Sequence, residues 1–458
     1  MSRERGRLSM GCLCVEHNVG WKKRVLALLL LMGVALAAAP EKAVAARLQI
    51  LTSFSPAFYE PFIQRFNALH PDIEVAILNK KTTSAIDEVV RGNSRQFDLF
   101  WSSSPDAFEI LKSSRKLRRS SLGRQHKVLF AGDLSVDDPE GYYFGFALSG
   151  VGWMWNQSYL RKEGLKPPQG WADMANPAYY NHMAMSTPTQ SGSTHLIVET
   201  LLQGMGWEKG WAHLMHIAGN LVTLSARSFS VPEGVKSGLF GMGLVIDILG
   251  RPQDMSNLSF RYGEPVFLVA ASIAALKNGA NTKEAELFID FVLSPEGQDI
   301  LLMPGVNRLP VSQAIYDSGK LESSALLALI KAGKSRPYDA YTAQLRYGLV
   351  NRMFDELITF KLPERRRIWK RLITLSKQDD ANSPAVANVR EKVYALLGEI
   401  PVTEAQSRDA EFAGIFSSPS SARTGGTVMQ GQIEQWQRFV NERLIKAKEL
   451  LDTVSVKK

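Results

Sequence analysis

Cysteine is almost absent: the 458-residue chain has two, Cys12 and Cys14, both near its start. No disulfide framework staples the remainder, so stability has to come from a buried core. Long apolar runs are scarce too. The most pronounced one, Val25 to Ala39, is fifteen residues, short of the roughly 20 that a spanning helix needs. The chain also lacks a G-x-S-x-G elbow, an H-E-x-x-H pair and a G-x-x-x-x-G-K-[ST] loop, which removes the best-marked hydrolase, zincin and nucleotide-binding chemistries. No zinc-finger spacing or arginine-aromatic tract argues for nucleic acid.

What is present begins with an export signal. Lys22-Lys23-Arg24, the apolar run, and then Ala43-Val44-Ala45 are the three parts of a secretory signal peptide, predicting cleavage after Ala45 and a periplasmic mature protein. Residues 1 to 19 precede anything such a signal needs, which suggests Val19 as the true start. Cleavage removes seven basic and three acidic residues, leaving 413 residues with 47 basic and 42 acidic side chains. That balance is only mildly basic, and the length supplies two or more domains.

Along the mature chain, buried strands alternate with helical patterns. Leu48 to Thr52 runs through Ser53-Phe54-Ser55-Pro56 into a helix, with Ser55 as N-cap and Pro56 at the first helical position. Ile73 to Leu78 leads to Asn79-Lys80-Lys81-Thr82-Thr83-Ser84 and a helix whose Ser84 to Asp87 spacing fits a capping box. Asp98 to Trp101 leads to Ser102-Ser103-Ser104-Pro105. This spacing predicts βαβ units and a parallel sheet, with ligands at the carboxyl edge where these hydroxyl-rich junctions fall. Gly145 to Trp155 reads as the crossing to a second lobe, and Phe260 to Ala275 as the return. The predicted organisation is α/β in two lobes, 46–147 with 264–337 and 148–263, followed by a charged helical C-terminal extension over 338–458.

The densest chemistry lies at Ser186 to His195, a run of hydroxyls and an imidazole at a helix start. Helix N-termini carry about half a positive charge and unpaired N–H donors, so such a collar suits a phosphate or carboxylate. A further junction, Ser225-Ala226-Arg227-Ser228-Phe229, precedes an expected capping box at Ser230 to Glu233, and a buried strand delivers Asp247. The expected ligand shell is Ser53, Ser55, Thr83, Ser84, Ser102 and Ser103 from one lobe, and Ser186, Thr189, Ser191, Ser193, Thr194, His195, Ser225, Arg227, Ser228 and Asp247 from the other. Arg227, with Lys80 or Lys81, supplies charge for an anion, and Asp247 would accept from a ligand hydroxyl.

Other chemistries are weaker. Tyr142-Tyr143 and Tyr179-Tyr180 lack the carboxylates and histidines of a hard-cation site, and His213 with His216 lacks a third ligand, so no metal and no cofactor is expected. The residues leave open a hydrolase built on Ser191 and His195; with no catalytic motif, a binding protein is the expectation.

Thr52-Ser53-Phe54-Ser55-Pro56, Ser102-Ser103-Ser104-Pro105, His195 to Leu202 and above all Gly219 to Phe229 through Val245-Ile246-Asp247 resemble the phosphoglycerate transport regulatory family. The likeness extends through Met353 to Phe360 and Gln435-Trp436. These are exported relatives of the ferric-iron and sugar-phosphate binding components of ABC transporters. The resemblance implies a type II periplasmic binding fold, recognition of small phosphorylated acids such as phosphoglycerate or phosphoenolpyruvate, and a membrane sensor kinase as partner. An ABC permease for sugar phosphate or ferric iron is the alternative partner.

Overall fold

The computed structural model describes residues 46–120, 136–251, 255–321, 324–377, 383–417 and 425–454. The expected signal peptide and upstream start lie outside the described residues. Among those described, no helix is long and apolar enough to cross a membrane.

Strands β1 (Ala46–Thr52), β2 (Ile73–Asn79), β3 (Leu99–Ser102) and β4 (Phe144–Ser149) build a first sheet. At Gly150 the chain crosses into a second sheet of β5 (Val151–Asn156), β6 (Met183–Ser186), β7 (Leu221–Ser225), β8 (Met242–Ile246) and β9 (Leu258–Tyr262). It returns through β10 (Val266–Ala275), β11 (Leu309–Pro310) and β12 (Ser335–Pro337). The first sheet runs β11-β4-β10-β3-β1-β2, with β12 beside β10; the second runs β7-β6-β8-β5-β9.

The expected parallel sheet is only partly realised. β1 pairs parallel with β2 and β3, whereas β10 lies antiparallel to β3 and β4. The physical reason is the double crossing: a strand returning from the other lobe enters from the opposite end of the sheet. Parallel pairing at β1, β2 and β3 still sends all three carboxyl ends to one edge.

Each lobe has its own core. In the first, the Pro56–Leu69 helix places Phe58, Phe62 and Phe66 at helical spacing against Trp101, Phe146, Phe288 and Phe291. Phe62 and Trp101 meet edge to face at 5.3 Å and 89°. Burial of each such ring stabilises the fold by roughly 1.5–3 kcal/mol.

The second lobe shares its core with the C-terminal helices, which fold onto it. Trp369 donates to Asn220 Oδ1 at 2.7 Å, Trp207 donates to the Val402 carbonyl at 2.8 Å, and His216 stacks on Tyr394 at 3.7 Å. Arg365, fully buried, donates to the carbonyls of Leu357 and Leu397 and ties two of those helices together. A cation inside an apolar cluster costs several kcal/mol unless its donors are used, and these are. Most of the charged pattern over 338–458 therefore describes outer faces, while the inner faces bury Trp369, Val393, Trp436 and Leu444 together with Arg346, Glu356 and Arg365.

Candidate functional site

The two sheet edges face one another across a narrow cleft that opens to solvent. From the first lobe it is lined by Ser53, Phe54, Ser55, Phe58, Lys80, Lys81, Thr82, Ser103 and Arg308, and from the second chiefly by Gln190, Ser191, Ser193, Arg227, Ser228 and Phe229.

Local hydrogen bonds explain why the hydroxyls are free to face it. Ser55 is the N-cap of its helix in φ and ψ, yet its side chain makes no capping bond. Thr52 instead shapes the turn: its Oγ1 donates to the Trp101 carbonyl at 2.7 Å and accepts from Phe54 N at 3.1 Å. Ser53 and Ser102 pair at 2.9 Å, and Ser102 also accepts from Ser104 N at 3.2 Å. In the second lobe Ser191 caps Thr194 N at 3.3 Å and bonds Ser193 at 3.0 Å.

Several bonds span the lobes. Arg227 Nη2 donates to Asn79 Oδ1 at 2.8 Å, and the Asn79 amide in turn donates to the Phe54 carbonyl. Thr83 Oγ1 donates to the Thr189 carbonyl at 3.1 Å, and Lys81 Nζ reaches Gln190 Oε1. At Gly192 the lobes pack tightly: a Cβ there would lie 2.7 Å from Ser104 Oγ and 2.9 Å from Thr82 Oγ1.

Of the expected shell, Ser53, Ser55, Ser103, Ser191, Ser193, Arg227 and Ser228 line the cleft. The others are placed elsewhere, each for a definite reason. Thr83 is spent on the Thr189 carbonyl. Ser84 is exposed on the far side of its helix beside Asp87 and Arg91; the Thr82–Val90 helix starts at Thr82, so the capping box with Asp87 does not form. Ser102 is fully buried beneath Ser53. Ser186 and Thr194 bond each other in the interior. Thr189 Oγ1 turns to Asp355 Oδ2 at 2.7 Å, and Ser225 Oγ donates to the Arg227 carbonyl at 2.9 Å. At Ser230, too, no box forms, because Phe229 already has helical φ and ψ and Ser230 lies inside the helix.

His195 points away from the cleft. Its Nδ1 pairs with Asn351 Oδ1 at 2.9 Å, its ring lies 4.2 Å from Tyr347, and burial holds its pKa below the ordinary value. The geometry does not join it to Ser191 as base and nucleophile, since Ser191 Oγ bonds Ser193 and Thr194 instead. Asp247 is likewise structural: it accepts from Gly150 N at 3.1 Å, Tyr262 Oη at 2.9 Å and Ile248 N at 2.8 Å, fixing the crossing between lobes. Burial raises its pKa, opposed by the nearby Arg308 charge.

Sequence reasoning missed Arg308, Thr82, Gln190 and the rings Phe54, Phe58 and Phe229. Arg308 is the consequential omission. Its signal was one charge inside the apolar stretch Val306-Asn307-Arg308-Leu309-Pro310-Val311, with no helix start or hydroxyl run to mark it.

The lining carries four basic side chains and, among the described residues, no carboxylate, tyrosine or histidine. Lys80 is partly neutralised by Glu88 at 2.5 Å, outside the lining. Such a set stabilises an anion and lacks the carboxylate, phenolate and imidazole ligands that would balance a hard metal ion's charge.

Two α/β lobes joined by crossing strands around this cleft define a binding protein of the type II periplasmic class. The chain belongs to the bacterial extracellular solute-binding protein family, whose sequence profile matches residues 97–327. The phosphoglycerate transport regulatory proteins PgtC of Salmonella typhimurium and Salmonella typhi are each 32% identical over 406 residues, covering 87% of this chain and 95% of theirs. Among solved structures, the periplasmic binding protein AfuA of Actinobacillus pleuropneumoniae, with fructose-6-phosphate bound, has a TM-score of 0.61 at 19% identity, over 69% of this chain and 99% of that one. The apo ferric ion-binding protein A of Pasteurella haemolytica has a TM-score of 0.55 at 16% identity, over 69% and 98%. At these identities the structures speak for the fold alone.

Proposed function

We propose that the protein is a periplasmic solute-binding sensor that takes small phosphorylated acids, such as phosphoglycerate or phosphoenolpyruvate, into the interlobe cleft and signals to a membrane sensor kinase. On this reading residues 1–45 carry the export signal, residues 46–147 with 264–337 and 148–263 are the two lobes, and 338–458 is the extension. The observation that carries the ligand class is the cleft lining, basic and hydroxylic without a carboxylate. Helix starts at Pro56, Thr82, Pro105 and Gly192 approach it from both lobes, which suits a phosphate group. The relatives named for phosphoglycerate transport regulation support the same class.

The second reading, delivery of a sugar phosphate or ferric iron to an ABC permease, is favoured by the fold it shares with such receptors. The lining argues against the iron arm. The helices beyond residue 338 favour signalling, because delivery needs only the two lobes.

The test is calorimetric titration of the purified protein with 3-phosphoglycerate, phosphoenolpyruvate, glucose 6-phosphate and ferric citrate in parallel. Micromolar binding of the phosphorylated acids, lost in Arg227→Ala, is the expected result. Binding of ferric citrate alone overturns the proposal.

A further inference from the structure

Arg308 is a cation buried without a hydrogen bond. It is 4% exposed, and none of its Nε, Nη1 and Nη2 atoms has a partner among the described residues. Its guanidinium carbon lies 5.0 Å from the ring centres of both Phe54 and Phe58, and it contributes to the wall of the cleft. A guanidinium has five N–H donors in a planar fork, and leaving them unused inside a protein is costly. The nearest opposite charge does not use them. Asp247 acts on Arg308 through space only, its oxygens already accepting from Gly150, Tyr262 and Ile248.

The surroundings select the anion. Apolar groups line the cleft near Arg308: Phe54, Phe58, Ile246 and Ile248. A planar, singly charged carboxylate fits such a slot and takes two parallel N–H bonds from the fork. A phosphate needs donors on all sides, and the cleft supplies these at Ser55, Ser103, Ser191, Ser193 and Arg227. The negative charge of Asp247 behind Arg308 further penalises a doubly charged group there.

We infer that Arg308 is the specificity-determining residue that reads a carboxylate on the ligand, while the helix-start hydroxyls and Arg227 hold its phosphate. The inference rests on the reading of this cleft as a site for phosphorylated acids. It makes the receptor a two-point reader, rejecting phosphorylated alcohols that fit equally well at the phosphate end. Discrimination arises because a carboxylate satisfies a fork that is otherwise unpaired, a gain that such a ligand does not supply.

The experiment is titration of wild-type protein, Arg308→Gln and Arg308→Lys with 3-phosphoglycerate and with glycerol 3-phosphate, which has the same carbon count and phosphate but no carboxylate. Wild type is expected to prefer the acid by roughly 100-fold, the worth of a bidentate charge-assisted pair. Arg308→Gln should abolish the preference by weakening the acid alone, with glycerol 3-phosphate changed by less than about threefold, and Arg308→Lys should retain part of it. Arg227→Ala should weaken both ligands together.

An equal loss for both ligands in Arg308→Gln and Arg308→Lys, or an unchanged preference in either, overturns the assignment of Arg308 while leaving the phosphorylated-acid reading intact. Failure of wild type to bind either ligand overturns that reading, and this inference with it.

Discussion

The carboxyl of Asp106 and the imidazole of His195 face each other at 3.8 Å where the two lobes meet, and neither side chain is exposed. Asp106 belongs to the helix after β3, His195 to the helix after β6. Around them stand Tyr338, which donates to Asp106 at 2.8 Å, Tyr347 and Asn351 from the C-terminal helices, and the Glu199–Arg346 pair. Three parts of the chain thus meet on one proton-bearing contact.

A pH dependence follows. Burial, with Glu199 and Glu109 adding to it and the Tyr338 hydrogen bond opposing, pushes Asp106 up to about 8 from 3.8; burial pulls His195 below 6.5. A carboxyl raised on folding gives stability at low pH that is lost as pH rises through its folded value. A histidine lowered on folding gives stability above 6.5 that is lost as pH falls. Below 6.5 the two oppose each other. Between 6.5 and about 8 Asp106 acts without His195 and lowers stability by up to about 1.4 kcal/mol per pH unit, with Asp137, raised by burial to about 7, adding to the fall at the lower end. Urea unfolding at several pH values should show this fall in wild type and a shallower one in Asp106→Asn.

Arg346 and Glu199 form a buried bidentate pair, 3.0 and 2.7 Å, with Arg346 also lying 4.9 Å from the Trp207 ring. Arg346→Met should destabilise by about 3–5 kcal/mol, since Glu199 would be left charged and unpaired in the interior. Adding Glu199→Gln should recover much of that loss. A double-mutant cycle by denaturant titration checks both statements.

Gly192 separates the lobes by little more than its missing side chain. In Gly192→Ala the new Cβ would meet Ser104 Cβ at 2.8 Å, a contact that neither backbone nor a flexible side-chain end can relieve cheaply. The lobes should then stay apart, with at least tenfold weaker binding of phosphorylated acids and a larger radius of gyration by small-angle scattering. Affinity and compactness unchanged from wild type would count against this.

Asp355 holds the collar from behind, accepting from Thr189 at 2.7 Å and Thr187 at 3.3 Å. It sits at the start of a π-turn, Asp355–Thr359, a local widening of the helix that brings its carboxylate to the collar. Asp355→Ala should weaken ligand binding roughly tenfold, about 1.4 kcal/mol, by loosening Gln190 and Ser191. Calorimetry against 3-phosphoglycerate measures it directly.

The strand-helix alternation and the hydroxyl-rich junctions were legible because they are local: each depends on a short run of residues and a helix start. That is why Ser53, Ser55, Ser103, Ser191 and Ser193 were found where they line the cleft. His195, Ser186 and Thr194 stand in the same run or at its edge but belong to helix and strand faces turned inward, where His195 packs on Asn351 and Tyr347 and the two hydroxyls bond each other. Arg308 depends on two distant partners, Phe54 and Asp247, and so left no mark in its own neighbourhood. The docking of the last helices was equally hidden, since Trp369 and Trp436 sit in patterns whose charged faces dominate the composition.

The helix Trp207–Asn220 is covered by the C-terminal helices along one whole side. Trp207 meets Val402, Ala212 faces Gly398, and Gly219 is bare because the Trp369 ring lies where a Cβ would be, 2.5 Å away. Stopping the chain before residue 338 would expose that side of the helix, so a stable shorter two-lobed protein would need polar residues written there first. The second lobe and the C-terminal helices therefore present one surface to solvent, on which Tyr341 and Phe360 stand 70% and 59% exposed.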